Sequence, residues 1–170
     1  TTLPTLTIAR FVMAQNGRVF DLLLDSQGAV PKAISNTTIP GVIAALWSEG
    51  GNGAVLQYLD QETIKTAHLS LPPPNATTTT VRVQFLPAGI ASLAVSPDGA
   101  AVAYLLKTSS GSDGYTARAD GADSKKLFSL PLSQIQLSWP AQNTIFAQTA
   151  PAAGITGAVF SIDSKGAVTP

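Results

Sequence analysis

Apolar residues recur along this chain with a period of two, in short runs closed by Gly, Pro, Asn and Asp. Such a pattern marks strands joined by tight turns, because successive side chains of a strand point to opposite faces. The plainest case runs from Ile90 to Leu106. Ala91, Leu93 and Val95 alternate with Ser92, Ala94 and Ser96. Ser96-Pro97-Asp98-Gly99 then makes a turn. Pro97 presets φ at the first corner, Asp98 can accept from N–H groups ahead of it, and Gly99 can take φ > 0. Val102 to Leu106 is almost unbroken apolar sequence, as expected of a strand covered on both faces. No segment carries a convincing helical stripe.

The same grammar occurs twice more. Ile43–Ser48 leads through Glu49–Gly53 into Ala54–Leu59, and Ile135–Trp139 leads through Pro140–Asn143 into Thr144–Thr149. Aligned on Ser48, Ser96 and Trp139, with Pro140 under Pro97, the copies stand 48 and 43 residues apart. Repeats in the forties built of strands alone predict an all-β fold, a β-propeller whose blades are sheets of four antiparallel strands. The approximate blades are 5–35, 42–86, 90–130 and 134–170, within a single propeller-like domain.

The first of these reads as the last three strands of a blade: Thr5–Ala14, Arg18–Leu24 and Val30–Ile34. Its innermost strand is missing or supplied by Thr5–Ile8. Asn16-Gly17 predicts a type I′ turn between the first two strands, since both central residues of that turn need φ > 0. The second blade continues with Ile64–Leu71 and Val81–Phe85. In the third, Lys107–Gly114 reads as a polar Ser/Gly loop without core residues, before strands at Tyr115–Ala119 and Lys126–Leu130. The fourth adds Gly157–Asp163. Two blades are then complete and two incomplete, an incomplete or half propeller. Such an array leaves apolar edges, so the chain is expected to be a fragment, to pair with a copy of itself, or to form an open array.

Charge and composition narrow the function. Ten acidic and ten basic residues balance, and charged residues make up only 12% of the chain. They form no runs, which argues against a nucleic-acid partner, because phosphate binding needs clustered Lys and Arg. There is no Cys, hence no disulfide and no thiolate chemistry. No apolar run approaches the roughly 20 residues of a membrane-spanning helix. The chain opens on Thr1-Thr2-Leu3-Pro4, which reads as a piece of something longer. Low charge with abundant Thr, Ser and Ala favours an extracytoplasmic bacterial protein, periplasmic, secreted or on the cell surface.

The segment Leu93-Ala94-Val95-Ser96-Pro97-Asp98-Gly99-Ala100-Ala101-Val102-Ala103-Tyr104 resembles the propeller repeat of TolB-like, tricorn-type and dipeptidyl-peptidase-type proteins. In those families Ser-Pro-Asp-Gly joins the two inner strands. The match is specific in the third blade only: the second departs at Glu49–Gly53, and the fourth has Ala141-Gln142 in place of Asp-Gly. A looser resemblance over most of residues 10 to 163, including Ile34–Gly41 before a Trp-bearing strand, is to proteins of uncultured bacteria, and it implies no activity.

Few residues offer chemistry. His68 is the one histidine; without His or Cys partners it suggests no zinc site and reads as a partly exposed strand residue. No Gly-x-Ser-x-Gly elbow accompanies it, and Ser110-Gly111-Ser112 reads as flexible loop. Asp113, Asp120 and Asp123 are the nearest approach to a calcium loop but lack its terminal Glu; turn chemistry explains them better. Trp47 and Trp139 end inner strands at near-equivalent positions. They either pack between blades or stack on a ligand, and they are the candidate ligand-binding residues. The expectation is a non-enzymatic binding or scaffold module, without catalytic residues, metal or cofactor, that holds a protein or peptide partner or a copy of itself. The alternatives are the regulatory or substrate-gating propeller of a larger hydrolase and a carbohydrate-binding module.

Overall fold

The computed structural model describes residues 7–74, 80–149 and 157–170. Thr5 and Leu6, assigned above to the first strand, lie outside them. The chain is all-β, apart from a one-turn 3₁₀ segment at Glu49–Gly51. Among the described residues, fifteen strands form four antiparallel sheets, each in simple up-and-down order. The first sheet contains β1 (Ile8–Val12), β2 (Val19–Leu23) and β3 (Lys32–Ala33). The second contains β4 (Val42–Trp47), β5 (Gly53–Asp60), β6 (Thr63–Ser70) and β7 (Arg82–Phe85). The third contains β8 (Ile90–Val95), β9 (Ala101–Thr108), β10 (Gly111–Arg118) and β11 (Lys125–Leu130). The fourth contains β12 (Ile135–Ala141), β13 (Thr144–Thr149), β14 (Val159–Asp163) and β15 (Val168–Thr169). Among the described residues three sheets therefore have four strands and one has three. The expected two complete blades become three, because the two-residue β15 pairs with β14 at Ile162 and Ser161.

Consecutive sheets stack face to face, and the core lies in the seams between them. The first seam holds Val19, Ile34, Ala54, Leu56, Tyr58, Ala67 and Leu69. The second holds Val55, Leu93, Val102, Tyr104 and Ala117. The third holds Ala94, Ala103, Leu105, Phe128, Ile135, Leu137, Ile145 and Ile162. Strand periodicity explains the division. Val102 and Tyr104 point into one seam, Ala103 and Leu105 into the next, so β9 needs apolar residues on both faces. The unbroken apolar runs at 54–56 and 102–105 follow from this.

Three corrections concern turns. Asn16-Gly17 does not form a type I′ turn: Gly17 has φ +66, but Asn16 is not among the residues with positive φ. The loop instead spans Ala14 to Gly17, with the Met13 carbonyl accepting from both Asn16 and Gly17 N–H. A two-residue turn with φ > 0 at both positions forms instead at Gln61-Glu62, where φ is +46 and +67, at residues without a turn signature. Pro140 does not match Pro97. It lies within the edge strand β12, which can spare a donor, and the turn falls at Gln142-Asn143 between paired Ala141 and Thr144.

The largest correction is at Lys107–Gly114. It is not a loop: β9 runs through Thr108, Ser109-Ser110 make the turn, and Gly111–Arg118 is a full strand paired on both sides. Ser112 is 2% exposed and donates to the Leu132 carbonyl at 2.8 Å. Small residues are required there because neighbours come close. A Cβ on Gly114 would lie 2.2 Å from the Phe128 ring, and one on Gly111 would lie 2.1 Å from the Leu130 carbonyl oxygen.

The first sheet is oriented by Arg10. Its guanidinium forms an ion pair with Asp21 on β2 and donates to the carbonyls of Gly51, in the turn between β4 and β5, and Pro72, just after β6. β1 therefore starts at the end where β4 turns into β5. It runs toward Ala14, whose carbonyl accepts from Val42 N–H at the start of β4. That direction is opposite to β4 and the same as β5.

Candidate functional site

The turns after the innermost strands gather at one end of the seams, and two clefts open there on either side of the Ser96–Gly99 turn. That turn is rigid. Ser96 Oγ donates to Asp98 Oδ1 at 2.6 Å and accepts from Ala101 N–H, while Ala100 N–H donates to the same carboxylate. The other Asp98 oxygen accepts from the Gln142 side-chain amide of the fourth sheet at 2.9 Å. The Ser96 hydroxyl, the Gln142 amide and the Ala100 N–H together hold the Asp98 pKa down to about 2 from 3.8. The Asp of the repeat motif thus does more than shape its own turn: it ties two sheets together and keeps a fixed negative charge between the clefts.

The cleft at the third seam has a volume of about 330 Å³ and a mainly apolar lining. Trp139 and Leu127 supply apolar surface over the buried Ile145 and Ile162, and Arg118, Lys125, Asp123 and Asp163 bring charge to it. Trp139 is half-buried, packs against the third-seam core and directs Nε1 at the Gln142 carbonyl at 3.4 Å. The side of Asp163 is fixed by its own turn, where backbone N–H groups of Ala167 and Lys165 hold its carboxyl below the usual range. Gly166 presses this turn onto β11: its φ is +87, and a Cβ there would lie 2.1 Å from the Leu127 carbonyl oxygen.

The cleft at the second seam is polar and has a volume of about 390 Å³. Ser48, Asn52, His68 and Ser70 line it from the second sheet, and Asp98, Arg118 and Asp120 from the third. His68 corrects the expectation of a partly exposed residue: it is 9% exposed. Its position opposite Val55 on β5 turns it into the seam, where the third sheet covers it. Burial pushes its pKa below 6.5, with Asp120 opposing. Arg118 pairs with Asp120 at 3.0 Å.

Trp139 thus lines a cleft, while Trp47 packs against the first-seam core. Trp47 ends β4 and Trp139 lies within β12, and the structure does not bring them together. Asp113 is committed elsewhere, to Lys126 at 2.9 Å and to Ser129. Arg118 and His68 escaped the sequence reading as site residues, since neither belongs to a motif. The Ser-Pro-Asp-Gly turn was the available signal, because it locates the end where clefts form.

No family model and no curated protein matches the chain. Solved structures share its fold. TolB from Acinetobacter baumannii is 14% identical with a TM-score of 0.58, over 95% of this chain and 40% of that one. A structure of a nidogen/laminin complex matches at 14% identity and TM-score 0.56, over 92% of this chain and 58% of that one. Pyrococcus horikoshii acylaminoacyl peptidase matches at 13% identity and TM-score 0.52, over 76% of this chain and 24% of that one. The chain spans less than two thirds of the length of each. These likenesses show the fold, an incomplete TolB-like β-propeller.

Proposed function

We propose that this propeller module is a non-enzymatic binding module that holds a protein or peptide partner outside the cytoplasm, with the Trp139 cleft as its contact. The observation that carries the reading is the cleft itself. A half-buried Trp beside Leu127, over the buried Ile145 and Ile162, offers apolar surface, and flanking charges supply orientation. Concave, mostly apolar surface with a few placed polar groups is the usual form of a binding site, and Trp is enriched among residues that dominate binding energy. A protein–protein assembly, nidogen/laminin, stands among the structures of like fold. Placement outside the cytoplasm is supported by the low charged content, 12%, in a chain rich in Thr, Ser and Ala. No helix among the described residues is long and apolar enough to cross a membrane.

Selection of a random peptide library on the purified chain tests the reading. Selected peptides should lose at least about tenfold in affinity for Trp139→Ala, the range of a modest binding hot spot. The variant should keep its circular dichroism spectrum. Equal binding to the variant refutes the assignment. A carbohydrate is the second reading, favoured by the Trp139 ring beside Gln142 and Asn143; a glycan array in place of the peptide library separates the two. Recovery of the full-length protein in the cytosolic fraction of its own cells would refute the location.

A further inference from the structure

We propose that the free face of the first sheet is an interface for a second copy of this chain, covered by the free face of that copy's fourth sheet. The proposal goes beyond the Trp139 cleft and stands without it.

The second and third sheets are covered on both faces, whereas the first and fourth each leave one face uncovered among the described residues. On the first sheet the seam takes Val12 and Val19, with Arg10 and Asp21 on the same side. Side chains alternate along a strand, so Ala9, Phe11, Met13, Phe20, Leu22 and Leu24 share the opposite face. None of them belongs to a core seam. Met13 is 40% exposed and Leu24 is 56% exposed. A contiguous apolar face of this kind marks an interaction surface.

The protein contains the covered form of the same face. Phe11 stacks on Phe20 across β1 and β2 at 5.7 Å. Tyr104 stacks on Tyr115 across β9 and β10 at 5.4 Å, on the face that the third sheet turns toward the second. There Tyr104 is 1% exposed, in a seam with Val55 and Leu46 of the second sheet. The covering face is of mixed polarity: His68 stands opposite Val55, and Thr66 lies on the same side of β6. The free face of the fourth sheet has the same mixture. Phe146 lies between Ser138 and Ser161, and the half-exposed Val159 stands opposite Gln148. Val55 and Phe146 both sit on the second strand of their sheet, on the side turned away from the preceding one. The fourth sheet of a second copy therefore offers the first sheet the kind of cover that the second sheet gives Tyr104 and Tyr115.

Area selects a closed pair. A sheet face three strands wide, at about 4.8 Å per strand and about 20 Å long, covers roughly 300 Å². One seam between two copies buries about 600 Å² from both sides, short of the roughly 1,200 Å² of a stable interface. Two copies related by a two-fold axis form two such seams at once and reach that area. The ring then holds twice the four sheets of one chain, which stays within the range of about 4–8 blades known for propellers.

Sedimentation equilibrium of the intact chain tests the pairing. The expected mass is twice 17.5 kDa. Leu24→Asp on the first sheet and Val159→Asp on the fourth should each weaken the dimer at least about thirtyfold, as for loss of a hot-spot side chain. Both positions are exposed in the single chain, so the circular dichroism spectrum should not change. Where a charged variant does alter the spectrum, Leu24→Ser or Val159→Ser takes its place. A monomer at all concentrations overturns the proposal. A dimer that the Val159 variants leave intact also overturns it, because first sheets would then be pairing with each other. A mass that keeps growing with concentration overturns the closed pair, because a head-to-tail contact that fails to close makes filaments.

Discussion

Gly114→Ala tests whether residues 111–118 form a packed strand or the loop that their composition suggests. A Cβ at this position meets the Phe128 ring at 2.2 Å, 2.3 Å and 2.7 Å from three ring carbons. Phe128 is 5% exposed and wedged in the third-seam core beside Leu105, Leu130 and Ile135, so the ring has no free space to take up. Forcing one methyl into a packed core costs about 1–3 kcal/mol. For a chain of this length each kcal/mol lowers the melting temperature by roughly 2–4 °C. Phe128→Ala alone should cost more, about 3–5 kcal/mol, because it empties a core position. The decisive quantity is the coupling. With the ring gone, the added methyl has room, so the double variant should be hardly less stable than Phe128→Ala. That non-additivity should amount to about 1–3 kcal/mol in a double-mutant cycle. Urea unfolding followed by circular dichroism measures all four proteins. A Gly114→Ala effect within about 0.5 kcal/mol of zero, the value for an unconstrained surface site, would refute the packed strand. Simple additivity would refute Phe128 as the cause.

Two further predictions concern stability. Gln61→Asn with Glu62→Gly should stabilise the protein by about 1 kcal/mol, since both residues occupy φ > 0 and Asn-Gly suits that turn; a lowered melting temperature would show that the turn carries no strain. His68 should give an acid dependence. Its folded-state pKa lies below 6.5, so its contribution is intact above that value and is lost as pH falls through the folded-state pKa. His68→Leu should flatten the stability profile just below pH 6.5, and an unchanged slope would show that its burial has no energetic part. Asp98 acts lower, its contribution being lost only as pH falls from 3.8 toward about 2, and Asp98→Asn should remove that loss from acid unfolding curves.

Much of the fold was legible in the chain because strands declare themselves through local periodicity. The run from Val102 to Leu105 had to be covered on both sides, and the seams bear this out with alternating assignment of its residues. The repeat of Ser-Pro-Asp-Gly grammar was enough to expect an array of small antiparallel sheets, and the likeness to TolB agrees with it. What the sequence could not announce were features made by a neighbour. Gly111–Arg118 is a strand because β9 and β11 flank it and Phe128 fills the space above Gly114. No apolar alternation is needed when another strand supplies the bulk. The type I′ turn sits at Gln61-Glu62, not at Asn16-Gly17, because pairing of Asp60 with Thr63 leaves only two residues to close the hairpin. The clefts arise between sheets, and His68 and Arg118 meet there from segments 50 residues apart in the chain. The chain by itself determined that strands would form and where most would begin. The stacking of sheets alone decided which side chains became buried, which charges faced each other, and where a ligand could enter.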